Sequence, residues 1–256
     1  MQLQGRTALV TGAGRGLGRA IASRFAREGA QVIGLARHDE DLKEVKQDIL
    51  AQGGSFQGIV CDVSQAVEVQ QAAELVRKQF GKVDILVNNA AIVGPAQFTE
   101  AFDHWRQTLE INLLGPACCV HTFMSLMLDP GTVINITSGL SRMAFPRFSA
   151  YCTSKAGLEH LSRCLVAEFG SAGLKVACLD PGVMDTGMQE EIRALGPDQI
   201  GQELWNQFSG MKASGQLRDP AQVAELALAL TVFIPEERNG ESFSMQDLSQ
   251  LQAQKS

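Results

Sequence analysis

Three side chains able to move a proton fall within one short stretch: Ser138, Tyr151 and Lys155. Tyr151 is also the chain's single tyrosine. A free phenol titrates near pH 10 and is a poor acid or base at neutral pH. A neighbouring ammonium group favours the phenolate, and the positive end of a helix dipole pushes the same way. A tyrosine tuned like this can protonate a carbonyl oxygen or take a proton from an alcohol, with Ser138 hydrogen-bonding the same oxygen. Leu158, Leu161, Leu165 and Val166 recur at helical spacing, so residues 150–169 are expected as a helix. Tyr151 and Lys155, four apart near its first turn, then share one face. The β-branched run 132–137 reads as a buried strand that leaves Ser138 at its carboxyl end, the edge where open α/β sheets bind ligands. A Tyr-x-x-x-Lys pair by itself is more often a solvated helix face, so the reading rests on the elements around it.

Those elements alternate along the chain. Thr7–Thr11 reads as a strand running into Gly12-Ala-Gly-Arg15-Gly16-Leu17-Gly18, then a helix to about Glu28. Glycines there permit a tight turn and close approach of backbone to a pyrophosphate at a helix N-terminus. The spacing is T-G-x-x-x-G-x-G, with Leu17 in the place of the last glycine of G-x-G-x-x-G. Further strands are expected at Gln31–Ala36, Ser55–Val60, 84–89, Lys175–Leu179 and 242–245. Between them lie helical patterns after Asp39-Glu-Asp41, at 66–80, at 102–128, and from Asp219-Pro220 to near Ile234. Gly115 and Pro116 predict a bend in the long helix. This predicts one Rossmann-type α/β domain over 1–246, a doubly wound seven-stranded parallel sheet with helices on both faces. Residues 187–217, with Met188, Ile192, Leu204, Trp205 and Phe208 as apolar members, are expected as a mobile substrate lid. The polar segment 247–256 is expected as a mobile tail.

Four motifs in order carry a resemblance: the glycine turn, Asn88-Asn89-Ala90-Ala91 after the fourth strand, the Ser138, Tyr151 and Lys155 set, and Pro181-Gly182 after the sixth strand. Together they resemble the short-chain dehydrogenase/reductase family over about residues 5–240. The runs 181–189 and 211–217 look most like its sepiapterin reductase and benzil reductase branch. The resemblance implies that Ser138, Tyr151 and Lys155 are catalytic and that Asn112 is a fourth member holding a proton-relay water. It implies a dinucleotide contacted by Gly12, Arg15, Gly16, Leu17 and Gly18. Asp62 and Val63 would meet the adenine, Asn89 and Ala90 the ribose, and Pro181, Gly182, Val183 and Thr186 the nicotinamide. Tyr151 and Lys155 would also touch the cofactor. Arg37 follows Ala36, the place where NAD-preferring relatives carry an acid, and a guanidinium can pair with a 2′-phosphate bidentately. NADP(H) is therefore expected. A competing reading puts Asp39 on the ribose hydroxyls, although Asp39-Glu-Asp41 also suit a helix N-cap and first turn. Asp62 or Ser64 is equally suited to cap the helix at 66.

Composition narrows the partners. The net charge is −6 with no basic cluster, which argues against nucleic acid or an anionic membrane. Met1 leads into the first strand without an apolar leader, no run of about 20 apolar residues is evident, and a cytoplasmic protein is expected. Six cysteines without C-x-x-C spacing read as reduced core thiols. The four histidines lack ligand spacing, so no metal is expected.

The expected reaction is reversible hydride transfer between NADP(H) and a ketone, diketone or secondary alcohol, with reduction the favoured direction. Leu140, Phe145, Phe148, Met184 and Met188 would line an apolar substrate pocket. Ser244 falls where a pterin-anchoring aspartate would be placed, which argues against a pterin. The alternatives are a 3-oxoacyl thioester reductase, with Arg142 and Arg147 facing an acidic carrier, and a non-catalytic dinucleotide-sensing protein on the same fold. A serine hydrolase pairing Ser138 with His160 lacks the G-x-S-x-G elbow. A homodimer or homotetramer pairing through helices 102–128 and 150–169 is implied by the family.

Overall fold

The computed structural model describes residues 1–99, 102–127 and 131–254. Its first half runs β1 (Thr7–Thr11), α1 (Gly16–Arg27), β2 (Gln31–Ala36), α2 (Asp39–Ala51), β3 (Ser55–Val60), α3 (Ala66–Gln79), β4 (Ile85–Asn88), α4 (Phe102–Leu109), α5 (Gly115–Phe123) and β5 (Thr132–Ile136). The second half runs α6 (Ser149–Phe169), β6 (Lys175–Leu179), α7 (Gly187–Ala194), α8 (Gly196–Ile200), α9 (Gln202–Ala213), α10 (Pro220–Val232), β7 (Ser242–Phe243) and α11 (Leu248–Ala253). All seven strands are parallel in the order β3-β2-β1-β4-β5-β6-β7. The order reverses between β1 and β4, and the crevice beyond their carboxyl ends is where such sheets bind ligands.

Strands buried on both faces explain why β1, β4 and β5 are near-continuous apolar runs. Their alternate side chains serve two cores. Val10, Val32, Ile85 and Ile134 pack with α1, α2 and α10, while Leu9, Ile33, Leu86 and Val133 pack with α3, α5 and α6. The predicted strands and helices are all present. Asp219 caps α10, its carboxylate accepting from the Ala221 amide at 2.8 Å.

Three expectations are corrected. The long helix expected at 102–128 is not one continuous α-helix. Instead a π-helical turn, Glu110–Leu114, joins α4 to α5. Pro116 has no N–H for the carbonyl of Asn112 four residues back, and the Gly115 amide reaches Glu110 O. Leu128 lies outside the described residues. The run Phe102–Leu126 is also long and apolar enough to cross a bilayer, which the sequence reading had discounted. Ile111, Cys119, Val120 and Phe123 of that run belong to the core beneath the sheet. Segment 187–217 is three short helices, α7 to α9, where a loop was expected.

The third correction concerns the tail. Residues 248–253 form α11, and Leu251 is only 2% exposed, packed with α10 and Phe243. Asp247 fastens its start by accepting from Arg238 Nη1 at 2.6 Å and from the Ser244 amide at 2.7 Å. Two leucines, Leu248 and Leu251, at the right interval were too weak a signal among polar neighbours. Leu251→Ala is expected to cost about 2 kcal/mol in urea unfolding, at the low end for a buried leucine because a terminal helix can settle into the space. A change below about 0.5 kcal/mol would show the tail to be loose.

Candidate active site

Ser138 stands two residues beyond β5 with extended backbone, and its hydroxyl accepts from the Leu140 amide at 3.2 Å. Tyr151 and Lys155 lie in the first two turns of α6. Lys155 is 2% exposed; its Nζ donates to Ile136 O, at the last residue of β5, at 2.8 Å and sits 5.6 Å from the centroid of the Tyr151 ring. That bond pins the start of α6 to the sheet edge. Ser138 stands close enough to bear on the Tyr151 phenol, and Tyr151 and Lys155 share one face of α6, as their four-residue spacing predicts.

The electrostatics run opposite to expectation. Burial pushes the Tyr151 phenol up to about 12; the Ser138 hydrogen bond opposes this, and the Asp180 carboxylate and the Cys152 thiol add to it. Lys155 does not rescue the phenolate, because burial pulls its own ammonium down to about 8. At neutral pH the Tyr151 phenol is therefore held protonated. A linked effect on stability follows. From pH 8 to 10.5 the unfolded chain keeps a Lys155 proton that the folded protein has lost, so this residue's contribution to stability rises with pH over that window. Buried thiols act the other way, since Cys61 is held up at about 12 and ionises first in the unfolded chain. The lysine effect is accordingly read as wild type minus Lys155→Met in urea unfolding. That difference should grow from pH 8 to pH 10; a flat difference would contradict a depressed lysine.

Asn112, fully buried in the π turn, does not reach the cleft. Its Oδ1 accepts from the Ile92 amide at 2.9 Å, and its Nδ2 donates to Ile92 O at 2.8 Å and to Ser154 Oγ at 3.3 Å. Its side chain braces the segment after β4 against α6.

A cleft of about 240 Å³ runs along the strand ends. Gly12, Arg15, Gly16, Leu17, Arg37, Asp62, Val63, Asn89, Ala90, Tyr151, Lys155, Pro181, Met184, Thr186 and Met188 all line it. Gly12 and Gly16 have φ of +64° and +54°, a left-handed conformation that side chains resist. Gly18 lies behind the turn, where an added Cβ would stand 2.1 Å from Gly12 O. Asn89 braces the same turn, its Nδ2 donating to Thr11 O at 2.9 Å and Gly12 O at 3.2 Å. Helix α1 has neither a side-chain cap nor an acid in its first turn, so its N-terminus faces the cleft with positive polarity. The turn, the uncapped helix and the flanking arginines fit a dinucleotide pyrophosphate.

Arg37 is exposed on the cleft and makes no ion pair or hydrogen bond among the described residues. Arg15 is 3.7 Å from Glu191 of α7 across the cleft, both exposed. Asp39, the competing ribose ligand, is instead paired with Lys43 at 2.6 Å, and the α2 acid that lines the cleft is Asp41. His38 is the N-cap of α2, so Asp39 is a first-turn residue and not its cap. Asp62 accepts from the Ser64 amide at 2.9 Å and hydroxyl at 2.7 Å through Oδ1, while Gln65 occupies the N-cap of α3.

The expected apolar pocket is only partly assembled. Met184 and Met188 line the cleft; Leu140 and Phe145, both half-buried, do not. Phe148 is 2% exposed and packs on Phe208 of α9 with ring centroids 6.5 Å apart, so it seats α9 instead of facing the cleft. Gly182 has φ of +67° and donates its amide to Asp180 Oδ1 at 3.0 Å, while Val183 O accepts from the Arg218 amide at 3.0 Å. Gly182 and Val183 shape the turn behind Pro181. Sequence reasoning missed Thr137, 1% exposed and lining the cleft with its Oγ1 unpartnered. Its position beside Ser138 was the available signal.

Comparison with known proteins agrees with this geometry. The model of the short chain dehydrogenase family matches residues 6–195. The D-threitol dehydrogenase of Mycolicibacterium smegmatis is 32% identical over 237 residues, 90% of this chain and 86% of that one. The 3-oxoacyl-(acyl-carrier-protein) reductase of Salmonella typhimurium is 35% identical over 202 residues, 78% of this chain and 80% of that one. Among solved structures, a putative NAD(P)-dependent gluconate 5-dehydrogenase from Beutenbergia cavernae, with bound NADP, superposes with a TM-score of 0.83 at 31% identity, covering 97% of this chain and 98% of that one. A matched family model over most of the chain, and a sheet edge that gathers Ser138, Tyr151 and Lys155 beside a glycine turn, have one reading: the chain belongs to the short chain dehydrogenase family of oxidoreductases.

Proposed function

We propose that the protein is an NADP(H)-dependent carbonyl reductase acting reversibly on a ketone, diketone or secondary alcohol, with Tyr151 as its general acid and base. The observation that carries this is the placement of Tyr151 and Lys155, with Ser138 at the end of the adjoining strand, on the cleft that the glycine turn borders. When bound, the nicotinamide supplies or removes the hydride at the carbon that bears the oxygen. The chain does the rest. Ser138 orients and polarises the substrate oxygen, and Tyr151 protonates it. Lys155 fixes the first turns of α6, and its Nζ lines the cleft where the nicotinamide ribose would lie. Arg37 holds the 2′-phosphate, the uncapped α1 turn the pyrophosphate, Asp62 and Val63 the adenine, and Pro181 and Thr186 the nicotinamide end. Holding Tyr151 protonated favours the reductive direction. Met184 and Met188 make the substrate end apolar, which suits the aromatic diketones and bulky carbonyls of a benzil reductase-type enzyme.

The 3-oxoacyl thioester reading draws on the 35% identical relative. Against it, Arg142 is paired with Glu159 and Asp180, and Arg147 donates to Gln199 O at 2.6 Å, so neither offers a free cation to an acidic carrier. Exposed Phe102, Leu114 and Phe169 on the helices at 102–123 and 149–169 support self-association as a dimer or tetramer. Six unpaired cysteines support a reducing, cytoplasmic setting. The test is nicotinamide absorbance on mixing the protein with NADPH or NADH and a panel of an aromatic diketone, a simple aldehyde, sepiapterin and an oxoacyl thioester. NADPH consumption with the diketone is expected. Turnover of the thioester alone would replace this reading with its alternative.

A further inference from the structure

We propose that Arg142 is a positioning residue for the Tyr151 chemistry: it bridges Glu159 of α6 and Asp180 at the end of β6, and so screens a carboxylate set beside the loop that follows Ser138. Its Nη1 is 3.2 Å from Glu159 Oε1 and its Nη2 is 3.3 Å from Asp180 Oδ2. Both carboxylates are largely buried, with 9% and 15% of their side-chain surface exposed. Ser141 Oγ adds a 2.6 Å bond to Glu159 Oε1, and Asp180 Oδ1 accepts from the Gly182 amide at 3.0 Å. An added Cβ on Gly139 would stand 3.4 Å from Asp180 Oδ2, which places that carboxylate directly beside the residue after Ser138. One guanidinium thus joins three segments of the site: the loop after Ser138, the catalytic helix, and the turn that begins Pro181-Gly182.

The charged and titratable groups bearing on the phenol are few. Lys155 and Cys152 come from its own helix, and Asp180 from across the sheet edge. A carboxylate there disfavours phenolate, and an arginine held on that carboxylate offsets part of its field. Arg142 itself is half exposed, so its two ion pairs add little to stability. Its consequence lies in the charge that the phenol meets. That Tyr151 is the proton donor rests on the reading above.

Tyrosinate absorbance tests the link without turnover, because Tyr151 is the chain's single tyrosine. Wild type, Asp180→Asn, Arg142→Met, Arg142→Lys and the double variant are jumped to alkaline pH, with far-ultraviolet circular dichroism to confirm the fold at each point. Asp180→Asn should move tyrosinate onset down by roughly half a unit or more. Arg142→Met should move it up, and Asp180→Asn in the Arg142→Met background should abolish the upward move; Arg142→Lys, whose ammonium titrates at about 10.4 and is neutral where the phenol ionises, should move it up as well. An arginine serving only structure would lower the unfolding midpoint and leave the onset unmoved; that result, or an unmoved onset in folded Asp180→Asn, overturns the proposal. If Arg142→Met does not fold, Asp180→Asn alone decides. A failed titration leaves carbonyl turnover unaffected, whereas inactivity toward every carbonyl would sink the functional reading and leave the titration intact.

Discussion

Tyr151→Phe is expected to lower kcat for ketone reduction by about 10²- to 10⁴-fold, the range for removing a positioned general acid. Three features of the site set this expectation. The hydroxyl stays protonated at neutral pH, with Ser138 near enough to bear on it. Lys155, spent on Ile136 O, does not replace it, since the lysine's place is fixed by the strand end. Removing one oxygen leaves the ring and its packing, so NADPH affinity should change by less than about threefold. Cofactor binding followed by quenching of protein fluorescence, beside single-turnover kinetics, separates the two effects. Loss of binding together with activity would mean that the phenol holds the cleft together and is not its proton donor.

The second large effect concerns cofactor choice. Arg37→Ala should weaken NADPH binding about 10- to 100-fold and leave NADH binding nearly unchanged, because a charge-assisted contact to phosphate contributes about 1.5–3 kcal/mol. Arg37 reaches the cleft with no competing anion bonded to it, whereas Arg15 already shares Glu191. Asp41 lines the same end and works against a phosphate there. Asp41→Asn should therefore tighten NADPH modestly, by about two- to fivefold. Equal losses for both cofactors in Arg37→Ala would place the arginine elsewhere on the dinucleotide. A wild type that binds only NADH would make Asp41, not Asp39, the acid to test.

The sheet was legible because strands buried on both faces need continuous apolar runs, as in Thr132–Ile136, and the glycine turn because Gly12 and Gly16 adopt conformations that side chains resist. Helical spacing put Tyr151 and Lys155 on one face of α6, and the β-branched run 132–137 put Ser138 at the end of the neighbouring strand. What could not be read depends on tertiary placement. Leu248 and Leu251 alone are too short a pattern to set a period, yet Leu251 is buried beside α10. Phe148 looks the same whether it faces substrate or Phe208, and only the path of α9 decides. The sign of the tyrosine shift also hid from pattern. Proximity of an ammonium group argued for phenolate, but burial acts on both partners at once and lowers the lysine while raising the phenol. The paired state of Arg142 and Arg147 was likewise invisible, since their partners come from Asp180 and Gln199, far along the chain.

The most direct measurement is isotopic. The protein is mixed with an aromatic diketone and NADPH carrying deuterium at both C4 positions of the nicotinamide, and the product is weighed by mass spectrometry. Direct transfer predicts a hydroxyketone with deuterium on its carbinol carbon, formed by wild type and not by Tyr151→Phe. An unlabelled product, or tight NADPH binding with no product from any carbonyl, would contradict hydride transfer at this cleft and leave a dinucleotide-sensing protein as the better account.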